Sequence, residues 1–87
     1  MTAPDLIQLF GSGPALRVFE AVARQLDAGD IEGRESAVRE VVRRILHQAM
    51  PELEDDSREA LVPRIAEVLM DEPVMASRIN RLLGFET

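Results

Sequence analysis

Apolar residues recur along this chain at helical spacing, and nowhere do they alternate as in a strand. The clearest stripe lies in residues 34–50. Val38, Val41, Val42, Ile45, Leu46 and Ala49 follow the i, i+3, i+4, i+7 pattern of one helix face. Val and Ile are mediocre helix formers, so this helix needs a surface to bury its stripe against. The remaining segments are patterned to supply one. Leu6, Ile7, Leu9 and Phe10 mark a short first helix over residues 3–10, with Thr2 as cap, Pro4 in its first turn and Asp5 completing a capping-box spacing. Gly11-Ser12-Gly13 reads as a tight corner, and Pro14 opens a second helix over residues 14–28. Its inward stripe is Leu16, Phe19, Val22, Ala23 and Leu26, with Val18 at the edge and Gly29 as C-terminal cap.

Asp30–Arg34 reads as a loop because of Gly33. Its Ile31-Glu32-Gly33-Arg34 is similar to the recognition tetrapeptide of the protease factor Xa, which makes it a probe of local exposure. Pro51 ends the long helix at Met50, since the residue before a proline is pushed out of the helical region. Glu52–Ser57 is an acidic linker with Asp56 or Ser57 as the next cap. Leu61, Val62, Ile65, Val68 and Leu69 form the stripe of a fourth helix over residues 57–71. Pro63 inside it predicts a kink, or a regular start closer to Pro63. Pro73 opens a fifth helix over residues 73–83, with Asp71 or Glu72 before it and Met75, Ile79, Leu82 and Leu83 inward. Gly84 is placed to cap it, with Phe85 folding back on the last turn. The expected fold is therefore all-α: one domain over residues 1–87, a compact bundle of about five helices joined by short connections.

Composition narrows the chemistry more than it narrows the function. Sixteen acidic residues face ten basic ones, for a net charge of −6, which argues against nucleic acid as a partner because phosphates must be neutralised by cations. All the basic residues are Arg, a pattern of GC-rich bacterial genomes. There is no Cys, hence no disulfide or thiolate chemistry, and no apolar run approaches a membrane span. The N-terminus has no basic region ahead of its apolar residues, so it does not read as a signal peptide, and the expected location is the cytoplasm.

His47 is the only His and projects from the polar side of its helix, without a Cys, a Tyr or a second His to act with. The acidic linker lacks the alternating Asp/Asn spacing and central Gly of a calcium loop. The expectation is no enzyme, no catalytic residues, no cofactor, no metal and no small-molecule substrate. The better candidates are surface side chains. Arg39, Arg43 and Arg44 lie together, and Glu35–Arg39 and Glu40–Arg44 have the spacing of i,i+4 pairs. Arg78 and Arg81 share a flank of the last helix. Met50, Met70 and Met75 cluster at helix ends and flanks, and Met is well suited to adaptable contacts. The candidate partner-binding set is Met50, Met70, Val74, Met75, Arg78, Arg81 and Phe85, framed by Arg39 and Arg43. The expected role is a protein-interaction module, an adaptor or regulator, that binds a protein partner or a second copy of itself.

Two resemblances bear on this. In the tail Arg64–Thr87, Ile65, Leu69, Pro73, Ile79, Leu82, Leu83 and Gly84 match loosely the first two helices of a winged-helix DNA-binding domain. That resemblance implies an alternative, a transcription-associated regulator touching DNA through Arg78 and Arg81 or binding a DNA-binding partner. The match covers about a quarter of the chain, and the sequence ends where the recognition helix and wing of that pattern would follow. Length and helix count also resemble death-fold adaptors, including the effector-associated modules of bacterial conflict systems, which implies an adaptor function.

Overall fold

The two glycines expected to stop helices both do so through the same backbone chemistry. At Gly29, φ is +83°, and the amide donates to the Leu26 carbonyl while Asp30 N–H reaches the Gln25 carbonyl at 2.9 Å. At Gly84, φ is again +83°, with Gly84 N–H on the Arg81 carbonyl and Phe85 N–H on the Asn80 carbonyl at 2.8 Å. Both are Schellman motifs: a left-handed residue satisfies carbonyls that the helix leaves orphaned, and glycine takes that conformation without a Cβ clash.

The computed structural model describes residues 8–85. Thr2, Pro4, Asp5, Leu6 and Ile7, which the sequence assigns to the first helix and its cap, lie outside the described residues. That helix, α1, is described over residues 8–10. It is followed by α2 (Gly13–Ala28), α3 (Arg34–Ala49), α4 (Asp55–Asp71) and α5 (Pro73–Leu83). The all-α expectation holds, and among the described residues there is no strand. No helix among them is long and apolar enough to cross a membrane.

The boundaries differ from expectation in three places, each for a local reason. Ser12 is more than a corner: its hydroxyl donates to the Leu9 carbonyl at 2.8 Å and accepts from Ala15 N–H, so it closes α1 and caps α2 one residue early. The third helix ends at Ala49, with Met50 already non-helical ahead of Pro51. The fourth begins at Asp55 rather than Ser57. Its N-cap is Glu54, whose side chain makes no capping bond, and Asp55 and Asp56 sit in the first turn. Negative charge there favours the positive end of the helix dipole. Pro63 does not displace the start of α4, which runs through it without a break.

Glu72 alone joins α4 to α5. Its carboxylate accepts from Met75 N–H at 2.6 Å and from Val74 N–H at 3.3 Å, and Pro73 follows at the first helical position. Loss of this cap is expected to cost about 1 kcal/mol in Glu72→Ala. A thermal melt checks it; an unchanged midpoint would show the two bonds to be dispensable.

One apolar cluster joins Phe10, Phe19, Val22, Val41, Val42, Leu46, Val62 and Ile79, all but fully buried, with Ile45, Leu69 and Leu83 around them. Two expected stripes are rotated. In α2 the buried face is Ala15, Val18, Phe19 and Val22, which leaves Leu16 roughly 100° away and exposed, and brings Val18 from the edge into the core. In α4 the buried face centres on Val62, Ile65, Ala66 and Leu69, and Val68 faces out. Helices α2–α3, α3–α4 and α4–α5 pack as consecutive neighbours, and α2 also packs on α5, so the four close into a ring.

Candidate interaction surface

The seam between α3 and α4 is where charged side chains meet in register. The first half of α3 lies beside the second half of α4, and the reverse, so the two helices are antiparallel. Along α3, positions four apart read Glu35, Arg39, Arg43, His47. Along α4 they read Asp55, Glu59, Pro63, Glu67, Asp71. Residues four apart lie on one helix face, so these two rows run along the seam.

Arg43 crosses it. Its Nε donates to both oxygens of Glu59, at 2.7 and 3.1 Å, while a terminal nitrogen pairs with Glu40 on its own helix. The Glu59 carboxylate pushes the Arg43 pKa above its already high ordinary value; burial opposes it, and the Glu40 carboxylate adds a lesser push in the same direction as Glu59. Arg43 therefore stays charged throughout the working pH range, and its contribution is lost only in strong alkali. Arg44 completes the network, with Nε 3.0 Å from Glu40 and a terminal nitrogen 2.6 Å from the Gln25 amide oxygen on α2. The pairing of Glu40 with Arg44 follows the sequence expectation, as does that of Arg39 with Glu35 at 2.8 Å.

One turn from Arg43 the ladder is interrupted. Arg39 is level with Pro63, which offers no carboxylate, and it folds back along its own helix to Glu35. The seam opens there into a groove of about 520 Å3. Val38, Pro63, Ala66 and Met70 form its apolar lining, and Arg34, Glu35, Arg39 and Glu67 its rim. Pro63 is exposed, Met70 half-buried, and Val38 and Ala66 form a buried floor. The missing proline N–H also leaves the Glu59 carbonyl without its intrahelical donor.

Arg58 is the one buried charged residue among the described residues, at 8% exposure. It reaches back under the α3–α4 linker. One terminal nitrogen donates to the carbonyls of Met50 at 2.9 Å, Pro51 at 3.3 Å and Leu53, and the other pairs with Asp55. A second cleft, of about 510 Å3, lies over this region, with His47 and Gln48 on its edge. Its three Arg residues, Arg43, Arg44 and Arg58, are all held by carboxylates or carbonyls of the chain itself. His47 is exposed, and no three metal-ligating side chains converge among the described residues.

The candidate residues read from the sequence are scattered by this arrangement. Met70 and Arg39 come together at the groove, with Arg43 bridging the seam just beyond. Met50 is half-buried at the opposite end of α3. Met75 takes the inward position of its stripe: at 3% exposure it packs in the core with Ile79 and Leu83, which corrects its inclusion in the partner-binding set. Val74 beside it is 76% exposed. Arg78, Arg81 and Phe85 are exposed on α5 and just past its end, away from the groove. Arg34, Glu35, Val38, Pro63, Ala66 and Glu67 line the groove although sequence reasoning does not single them out as site residues. The available signal is the four-residue row of carboxylates on α4, broken once by Pro63 opposite an Arg.

Comparison with protein-family models, with curated proteins and with solved structures returns no match for this chain.

Proposed function

We propose that this protein is a non-enzymatic interaction module whose contact surface is the α3–α4 groove. The observation that carries this reading is the interrupted ladder. A seam sealed by Arg43 and Glu59 at one level is left open at the next, where a proline stands in place of a carboxylate. The opening has an apolar floor and a charged rim, the composition of a small helix-binding cleft. Rigid elements hold both walls, since the α3–α4 turn is clamped by Arg58 and the walls are continuous helices. The adaptor or regulator role in a bacterial cytoplasm belongs to the same proposal, as does occupancy by a protein rather than a nucleic acid.

The test is differential capture with the intact protein, Pro63→Glu and a control, Glu20→Ala, on the exposed outer face of α2. The carboxylate introduced by Pro63→Glu would reach Arg39 as Glu59 reaches Arg43 and close the groove. A protein retained by wild type and control but lost on Pro63→Glu supports the reading. Retention that is indifferent to Pro63→Glu would place the contact elsewhere and overturn it. Sedimentation of the wild type examines the second-copy arm: a monomer at all concentrations leaves only a different partner.

A further inference from the structure

We propose that the occupant of the α3–α4 groove is a basic amphipathic helix of a partner protein. This rests on the groove being the contact surface and adds the chemistry of what fills it. An Arg-rich edge on α3 would instead take an acidic segment. The structure removes that option, because Arg39, Arg43 and Arg44 are already neutralised by Glu35, Glu40 and Glu59.

The uncompensated charge is acidic and lies at the groove's open end. Short connections bring the end of α2, the start of α3, the end of α4 and the start of α5 to one end of the bundle. Asp27, Asp30, Glu32, Glu67 and Asp71 collect there, all exposed and without an ion pair among the described residues. Across the groove itself Glu35 and Glu67 face each other, and Arg34 is the one rim cation without an ion pair among the described residues. A cationic side chain entering from this end would meet the unpaired Glu67 carboxylate, with the Glu35–Arg39 pair on the opposite wall. The Glu59 carbonyl freed by Pro63 offers a further acceptor along the wall.

The walls, residues 34–39 and 63–70, span about 10 Å, or two helical turns. That length accepts apolar anchors at i and i+3 or i+4 over Val38, Ala66 and Met70, with Lys or Arg on the flank. The chain's net charge of −6 steers a basic segment toward the protein and repels a second copy of it.

Fluorescence anisotropy with two labelled model peptides tests this: a short Leu/Lys amphipathic helix and its Leu/Glu counterpart, each titrated with the intact protein. The Leu/Lys peptide is expected to bind saturably and the Leu/Glu peptide not at all. Glu67→Arg and Met70→Gln should each weaken binding on the order of tenfold. Glu20→Arg, with the same charge change on the outer face of α2, should alter it less than about twofold. Equal binding of both peptides, no binding, or equal sensitivity to Glu20→Arg and Glu67→Arg would overturn the proposal. Circular dichroism confirms that each variant is folded. If groove-dependent capture succeeds while the Leu/Lys peptide fails, the basic-helix inference falls and the module reading stands. If both fail, both fall.

Discussion

Arg58→Ala is expected to destabilise the domain by about 3 kcal/mol, which for a chain of this size lowers the melting midpoint by roughly 12–24 °C. The substitution removes a guanidinium that serves three loop carbonyls, Met50, Pro51 and Leu53, and the Asp55 carboxylate. Bonds from a charged donor are worth more than neutral ones, and the buried Arg58 side chain carries them where the turn folds over it. Asp55 is itself almost fully exposed, so its release adds little. Arg58→Met separates the two contributions of the side chain. It keeps the apolar stem packed under the linker and removes the donors, so it should recover at most about 1 kcal/mol of the loss. An Arg58→Met variant as stable as wild type would show that packing, and not the carbonyl clamp, holds the turn.

Pro63→Ala has the opposite sign. Proline in a helix interior is about 3 kcal/mol less favourable than alanine, since it removes a backbone bond and crowds the preceding turn. Position 63 is the ninth residue of α4, well past the first turn where proline is tolerated. Proline also restricts the unfolded chain, which offsets about 0.4–1 kcal/mol. The net expectation is a gain of about 2 kcal/mol, read as a higher denaturant midpoint at unchanged slope. Pro63→Glu should gain a little more by bridging Arg39, on the order of 0.5 kcal/mol for an exposed pair. A neutral or destabilised Pro63→Ala would mean that the helix has adapted fully to the proline. A gain, in contrast, marks Pro63 as retained at a cost to stability, which is how a residue kept for a contact behaves.

The fold is largely legible because each helix end is written in local chemistry. Pro14, Gly29, Pro51, Pro73 and Gly84 act on their own backbone and need no distant partner. Glu54 escapes because its capping position carries no side-chain bond, and so no residue-type signal. Leu16 and Val68 mislead because an apolar residue at a stripe's margin does not state where the stripe is centred; the packing of neighbouring helices decides that. Arg58 stays hidden for a related reason. In sequence it sits among acidic residues at a helix start with nothing to single it out, whereas its partners are carbonyls up to eight residues upstream. The candidate surface is half legible. The charged rows on α3 and α4 can be read off at four-residue spacing, but which rung meets which depends on the antiparallel register, and the sequence does not contain that. Once the register is known, Pro63 changes from a defect in a helix to the missing rung of a ladder.

The closed ring of helices also settles where attachments can go. With α2 rising, α3 descending, α4 rising and α5 descending, residue 13 and residue 83 emerge at the same pole, opposite the mouth of the groove. A tether, label or fused domain joined after residue 83 therefore starts from the pole opposite the mouth, and the mouth stays clear of the point of attachment.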